Sequence, residues 1–208
     1  MNQYRIFSWV SWIYIILQAF LTMADIQGMA LYPPFKTVAS FIAGVCFALA
    51  WLFLLFVFHY FKQRGFIPWI IGLYGLLSFI DPVIDISHTP AAAAFIRLSD
   101  AYVWFHFGYT GYKLIVIVAL LSVTAAPIVV RTRWVAIFSI LALITPLILY
   151  FSLHAAWKDP RADRVVAYGE FLYLLPVLWL TTLFRKTWRF RVKSTESLPA
   201  ESMGAESK

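Results

Sequence analysis

The feature that most restricts this chain is a series of apolar stretches, each long enough to cross a bilayer. Residues 37–61 contain no Asp, Glu, Lys or Arg and a single histidine, His59. A helix rises about 1.5 Å per residue, so roughly 20 such residues match a ~30 Å hydrocarbon core. Residues 6–24 form a second charge-free stretch, preceded by Arg5 and not followed by a small-residue cleavage site. A retained first span is expected there rather than a cleaved leader.

Further apolar stretches at 66–86, 111–130, 134–156 and 165–184 bring the expected number of spans to about six. The 87–110 segment is long for a connection within a bundle. It carries Tyr102, Trp104, Phe105 and Phe107, side chains that would not sit in water. An outer interfacial or re-entrant helix is expected here, with continuity into the fourth span left open. Beyond residue 184 the chain turns basic and then Ser/Glu-rich, and 194–208 reads as a disordered cytoplasmic tail. The expected fold is therefore all-α: a polytopic membrane protein with about six transmembrane helices in one bundle, both termini inside.

Composition supports lipid as the solvent. Of 208 residues, 62% are hydrophobic and only 13% charged, about half the usual charged fraction of a soluble domain. The net charge of +7 does not signal nucleic acid. Its basic residues lie in short clusters between apolar runs, and no soluble domain exists to carry a continuous basic face. The single cysteine, Cys46, excludes an intrachain disulfide and reads as a small packing residue.

Sidedness follows from the cations. Arg5, Lys62, Arg64, Arg131, Arg133, Arg185, Lys186, Arg189, Arg191 and Lys193 fall on one side. Lys36, Arg97, Lys113, Lys158, Arg161 and Arg164 fall on the other, mixed with acids. The richer side is expected to be cytoplasmic, in a plasma or inner membrane. Most of the chemistry lies opposite: Asp81, Asp85, Glu170, His88, His106 and His154 all belong to the outer half.

One pattern stands out within a span. Tyr74, Ser78, Asp81, Asp85 and His88 follow one another at steps of four, three, four and three, which keeps them on one helical face. A carboxylate within the hydrocarbon costs at least a few kcal/mol facing lipid, so Asp81 should face the bundle interior. Pro82 disfavours helical backbone at Asp81, and a break opening outward is expected there. Three readings of this stripe stay open. It could hold a cation or relay protons, with Asp81, Asp85 and His88 as the exchanging groups. The same three could ligate a divalent metal. Or the acids could pair with Arg97, Lys113, Lys158 or Arg161 and tie helix ends together. Glu170 and His154 lie at similar depth, and with Asp85 and His106 would complete a polar pocket from four helices.

Several enzyme classes lack their motifs. There is no His-Glu-x-x-His, no Gly-x-Ser-x-Gly and no Walker-type phosphate loop. The expected function is a small transporter-like protein, or an accessory subunit of a membrane complex, with an outer polar pocket for a cation, a proton or a small polar solute. The alternative is a membrane enzyme acting on a lipid or isoprenoid at the outer leaflet. The expected partners are the lipid bilayer, anionic lipid at the basic C-terminal segment, and another membrane protein. No cofactor is expected beyond the divalent metal of the second reading.

Overall fold

The computed structural model describes residues 3–88, 90–157 and 170–196. Helix α1 spans Gln3–Gln27, α2 Pro33–Tyr60, α3 Ile67–Leu77 and α4 Ile80–Ser87. There follow α5 Pro90–Leu98, α6 Asp100–Leu121 and α7 Val129–Trp157. A 3-10 turn, Glu170–Tyr173, leads into α8, Leu174–Glu196. The structure is all-helical, with no strand among the described residues.

Five helical stretches are long and apolar enough to cross a membrane: Gln3–Gln27, Pro33–Tyr60, Ile67–Ile84, Asp100–Leu121 and Val129–Pro146. The described part of the sixth, α8, is apolar only to Phe184 and then turns basic. The packing order closes a ring: α1 on α2, α2 on α3, α3 on α6, α6 on α7, α7 on α8, and α8 back on α1. Helix α4 packs on α2, and α5 leans on α6 and α4.

The surface is what lipid would require. Ile16, Phe20, Val38, Leu76, Val83, Val118, Leu141 and Ile148 all stand exposed along the helices. A water-soluble monomer does not display an apolar belt of this extent. Inside, the half nearest Arg5, Arg64 and Arg185 (the basic end) is packed mainly with apolar side chains. Leu54, Phe58, Ile71, Leu120, Leu180 and Phe184 are fully buried there.

Two glycines let α2 approach the third span closely. A Cβ at Gly44 would collide with Pro82 Cγ on α4. At Gly75 on α3 it would lie 2.8 Å from Leu52 Cγ and 3.1 Å from the Leu52 backbone nitrogen. At the basic end, Gln63 Oε1 accepts from the Thr124 and Ala125 amides at 3.3 and 3.2 Å. Lys186 Nζ donates to the Pro127 carbonyl at 2.9 Å.

Four expectations change. The break in the third span falls at Ser78–Phe79, between α3 and α4, and Asp81 is helical in the first turn of α4. Pro82 has no N–H to offer the Ser78 carbonyl four residues earlier, so the ladder fails one turn upstream of the proline itself. Pro82 then sits in a first turn, where a missing N–H is harmless. The helix expected at 111–130 runs instead over Asp100–Leu121, so the aromatic stretch Tyr102–Phe107 is its first half and only α5 is separate. Ser99 starts it, its Oγ accepting from the Tyr102 amide. As a consequence Lys113, expected at the outer face, lies about 20 Å along a helix that itself could span the membrane. Finally, Ser194, Thr195 and Glu196 continue α8 rather than beginning the tail; residues 197–208 lie outside the described residues.

Candidate polar core between the third span and α6

Of the face predicted on the third span, the part on α3 turns inward, Asp81 is half-buried, and His88 at the far end is exposed. Tyr74 and Ser78 are buried, at 4% and 8% exposure. What the sequence did not indicate is their partner, the helix α6. Ser78 Oγ donates to the Tyr74 carbonyl and lies 2.8 Å from the Tyr109 hydroxyl. Having spent its proton on the carbonyl, Ser78 accepts from Tyr109. The Tyr74 ring stacks on that of Tyr109 with centroids 5.4 Å apart, close enough for the two phenols to interact. Three hydroxyls are thus neighbours, and two of them, Ser78 and Tyr109, are hydrogen-bonded.

One turn toward the far end, the Tyr102 hydroxyl donates to Asp81 Oδ1 at 2.5 Å. Arg97 acts on the same phenol, and the Tyr102 ring stacks on His106. Hydrogen bonds to a charged acceptor contribute roughly 1.5–3 kcal/mol. Tyr102→Phe should therefore cost about 1.5 kcal/mol, the low end, because the site is half-buried. Thermal unfolding in detergent would measure it, and in Asp81→Asn the same substitution should cost less than half as much. Equal costs in the two backgrounds would mean that the phenol and the carboxylate do not act together.

In the other direction Tyr74 borders a cavity of about 50 Å³, lined also by Trp51, Lys113, Ser139, Ala142 and Tyr173 among others. A water needs roughly 10–15 Å³ by this measure, so the cavity has room for about three or four. Its walls carry donors and acceptors suited to them. Lys113 Nζ sits over the Tyr109 ring at 4.8 Å and the Tyr173 ring at 5.7 Å. The buried Trp51 Nε1 has no hydrogen-bond partner within the described residues. Pro146, inside α7, deprives the Ala142 carbonyl of its helical donor. Lys113 is also near enough to Asp81 for their charges to interact.

The other expected site residues are placed differently. His88 is exposed in extended backbone at the end of α4. His106 is exposed too, and faces a surface groove with Arg97, Tyr102 and Phe107. Asp85, His154 and Glu170 belong to helical segments, but their side chains lie outside what the structure describes, so the four-helix pocket expected from them is not addressed. Residues 158–169, with Lys158, Arg161 and Arg164, lie outside the described residues as well. Among the described residues no three His, Cys, Asp or Glu side chains come together as a metal site would need. The one ion pair given by described residues, Lys36 to Asp25 at 2.6 Å, is exposed and joins α1 to α2.

The residues that sequence reasoning missed are thus Tyr102, Tyr109, Trp51 and Tyr173, together with the depth of Lys113. Only Lys113 carried a signal, a lone cation adjoining an apolar run. No protein-family model, no curated protein and no solved structure matches the chain, so its function has to be argued from this polar core.

Proposed function

We propose that the protein is a small transporter-like membrane protein whose polar core takes up a proton or a cation no larger than a few waters from the far end. The observation that carries this reading is the proximity of two opposite charges, Asp81 and Lys113, beside the Tyr102 phenol and the bonded Ser78 and Tyr109 hydroxyls. Ionisable groups inside a membrane are expensive and as a rule mark ion or proton pathways. Hydroxyls that each donate and accept can pass a proton along without moving far. The cavity beyond them is too small for an acyl or isoprenoid chain, which argues against the lipid-enzyme alternative. Because the basic half is closely packed with apolar side chains, the core is a blind pocket in this conformation, as an alternating-access or accessory binding protein needs.

The basic residues at the ends of α1 and α8 and in the α2–α3 and α6–α7 turns support cytoplasmic termini, with the polar core toward the extracytoplasmic side of a plasma or inner membrane. Moving Lys113 from the outer face into a helix strengthens that charge asymmetry.

The test is proton entry into vesicles. Protein reconstituted with an internal pH dye should acidify faster than empty vesicles after an external acid jump. Asp81→Asn should slow that entry by about tenfold, the kinetic equivalent of losing one charged hydrogen bond. Entry at the empty-vesicle rate, with potassium and sodium fluxes equally unchanged, would overturn the proposal.

A further inference from the structure

At the opposite pole, helices α1 and α8 leave a groove of about 700 Å³ between them. Three guanidinium groups stand at it: Arg5 from the first turns of α1, and Arg185 and Arg189 from one face of α8. All three are exposed, and no carboxylate among the described residues pairs with them. Moving away from the basic end, the α1 wall becomes Trp9, Trp12 and Ile16. With Arg5 these follow at steps of four, three and four, one continuous stripe. Trp9 and Ile16 are 59% and 63% exposed, so none of the described residues covers them.

The groove's polarity changes with depth. From Arg5 to Ile16 the helix climbs about 16 Å, half the thickness of a ~30 Å hydrocarbon core. It is cationic where a phosphate would lie and apolar over the length of one leaflet's chain. Indole rings occupy the level between, where amphipathic aromatics prefer to sit. An acidic peptide from water would meet the arginines but could not follow the groove into the leaflet. We propose that this groove is a binding site for an anionic glycerophospholipid, with its phosphate on Arg5, Arg185 and Arg189 and one acyl chain along Trp9, Trp12 and Ile16. Basic clefts between helices suit such head groups, because guanidinium forks meet phosphate oxygens two at a time. The site lies at the other end of the molecule from the polar core and does not depend on the function proposed for it.

Tryptophan fluorescence of the full chain in vesicles reads the site directly. Brominated phosphatidylglycerol, diluted into phosphatidylcholine, should quench more than equally diluted brominated phosphatidylcholine does. Each arginine facing anionic lipid contributes roughly a factor of five in binding. R185Q/R189Q should therefore cut the preference by about 25-fold, while R64Q/R133Q, which removes two cations of the same end away from the groove, should keep it. W9F/W12F retains the arginines and should lose most of the phosphatidylglycerol-specific quenching, so the proposal stays testable even if R185Q/R189Q does not fold. No preference in the unaltered protein would overturn it, as would equal losses in R185Q/R189Q and R64Q/R133Q, which would mean general charge attraction. Displacement of the brominated lipid by soluble glycerol phosphate would also overturn it, since the groove would then read a phosphate without its chain.

Discussion

Gly75→Leu is expected to prevent the native bundle from assembling. Even the first carbon added at Gly75 would stand 2.8 Å from Leu52 Cγ and 3.1 Å from the Leu52 backbone nitrogen. The side chain of Leu52 could turn aside, but its backbone amide belongs to the middle of α2 and cannot. Accommodation would require α2 and α3 to separate, and α2 is the helix on which α1, α3, α4 and α8 all pack. Overpacking by a methylene or two costs roughly 1–3 kcal/mol where a core can adjust. Gly75→Ala should fall in that range, and leucine should exceed it, leaving material that elutes as aggregate from detergent. Gly44→Ala tests the same seam nearer the site, because its Cβ would drive into Pro82, the neighbour of Asp81. Its effect should reach the Asp81–Tyr102 bond, so that adding Tyr102→Phe costs less in the Gly44→Ala background than alone. A monodisperse Gly75→Leu protein with an unchanged unfolding midpoint would show that the helices do not meet this closely.

The helices were legible in the sequence because their signal is thermodynamic and local. A stretch such as 37–61, free of charge over the thickness of a bilayer, has few alternatives to a buried helix. The inward face of the third span was legible for the same reason, since Tyr74, Ser78 and Asp81 fix a direction by spacing alone. Which helix that face meets is a different kind of question. Periodicity along α3 and α4 says nothing about Tyr109 or Tyr102, whose role depends on how α6 is rotated against them. Nor did the composition of Asp100–Leu121 announce a membrane-length helix. Its first half is rich in Tyr, Trp, His and Gly, the residues of an interface, and the apolar signal starts only after Lys113. That ambiguity placed Lys113 at the surface. Pro82 was read correctly as a breaker, but the residue that pays for a proline is the one whose carbonyl loses its donor, and that is Ser78.

Lys113→Met should give a protein at least as stable as the original and with its proton uptake gone. The ammonium lies among Tyr109, Tyr173 and the apolar side chains of Val116 and Ile117. An ammonium gives up strong hydration to enter such a place, and two ring faces return roughly 0.5–2 kcal/mol each at most. Methionine matches the stem of lysine without that penalty; Lys113 makes no direct ion pair with Asp81, which keeps its Tyr102 bond, so the loss does not carry the cost of breaking a buried pair. A lysine kept only to hold α6 against α7 and α8 predicts the opposite, a loss of stability. The two roles therefore separate on the sign of the shift in unfolding midpoint. Uptake separates them again: the variant should fall to the empty-vesicle rate, while Lys113→Arg, which keeps the charge but not the small head group, should retain part of it. A destabilised Lys113→Met protein that still conducts at the original rate would make Lys113 a structural prop. A stable and silent one would mark it as a group maintained inside the membrane for what it does there, at the expense of the fold.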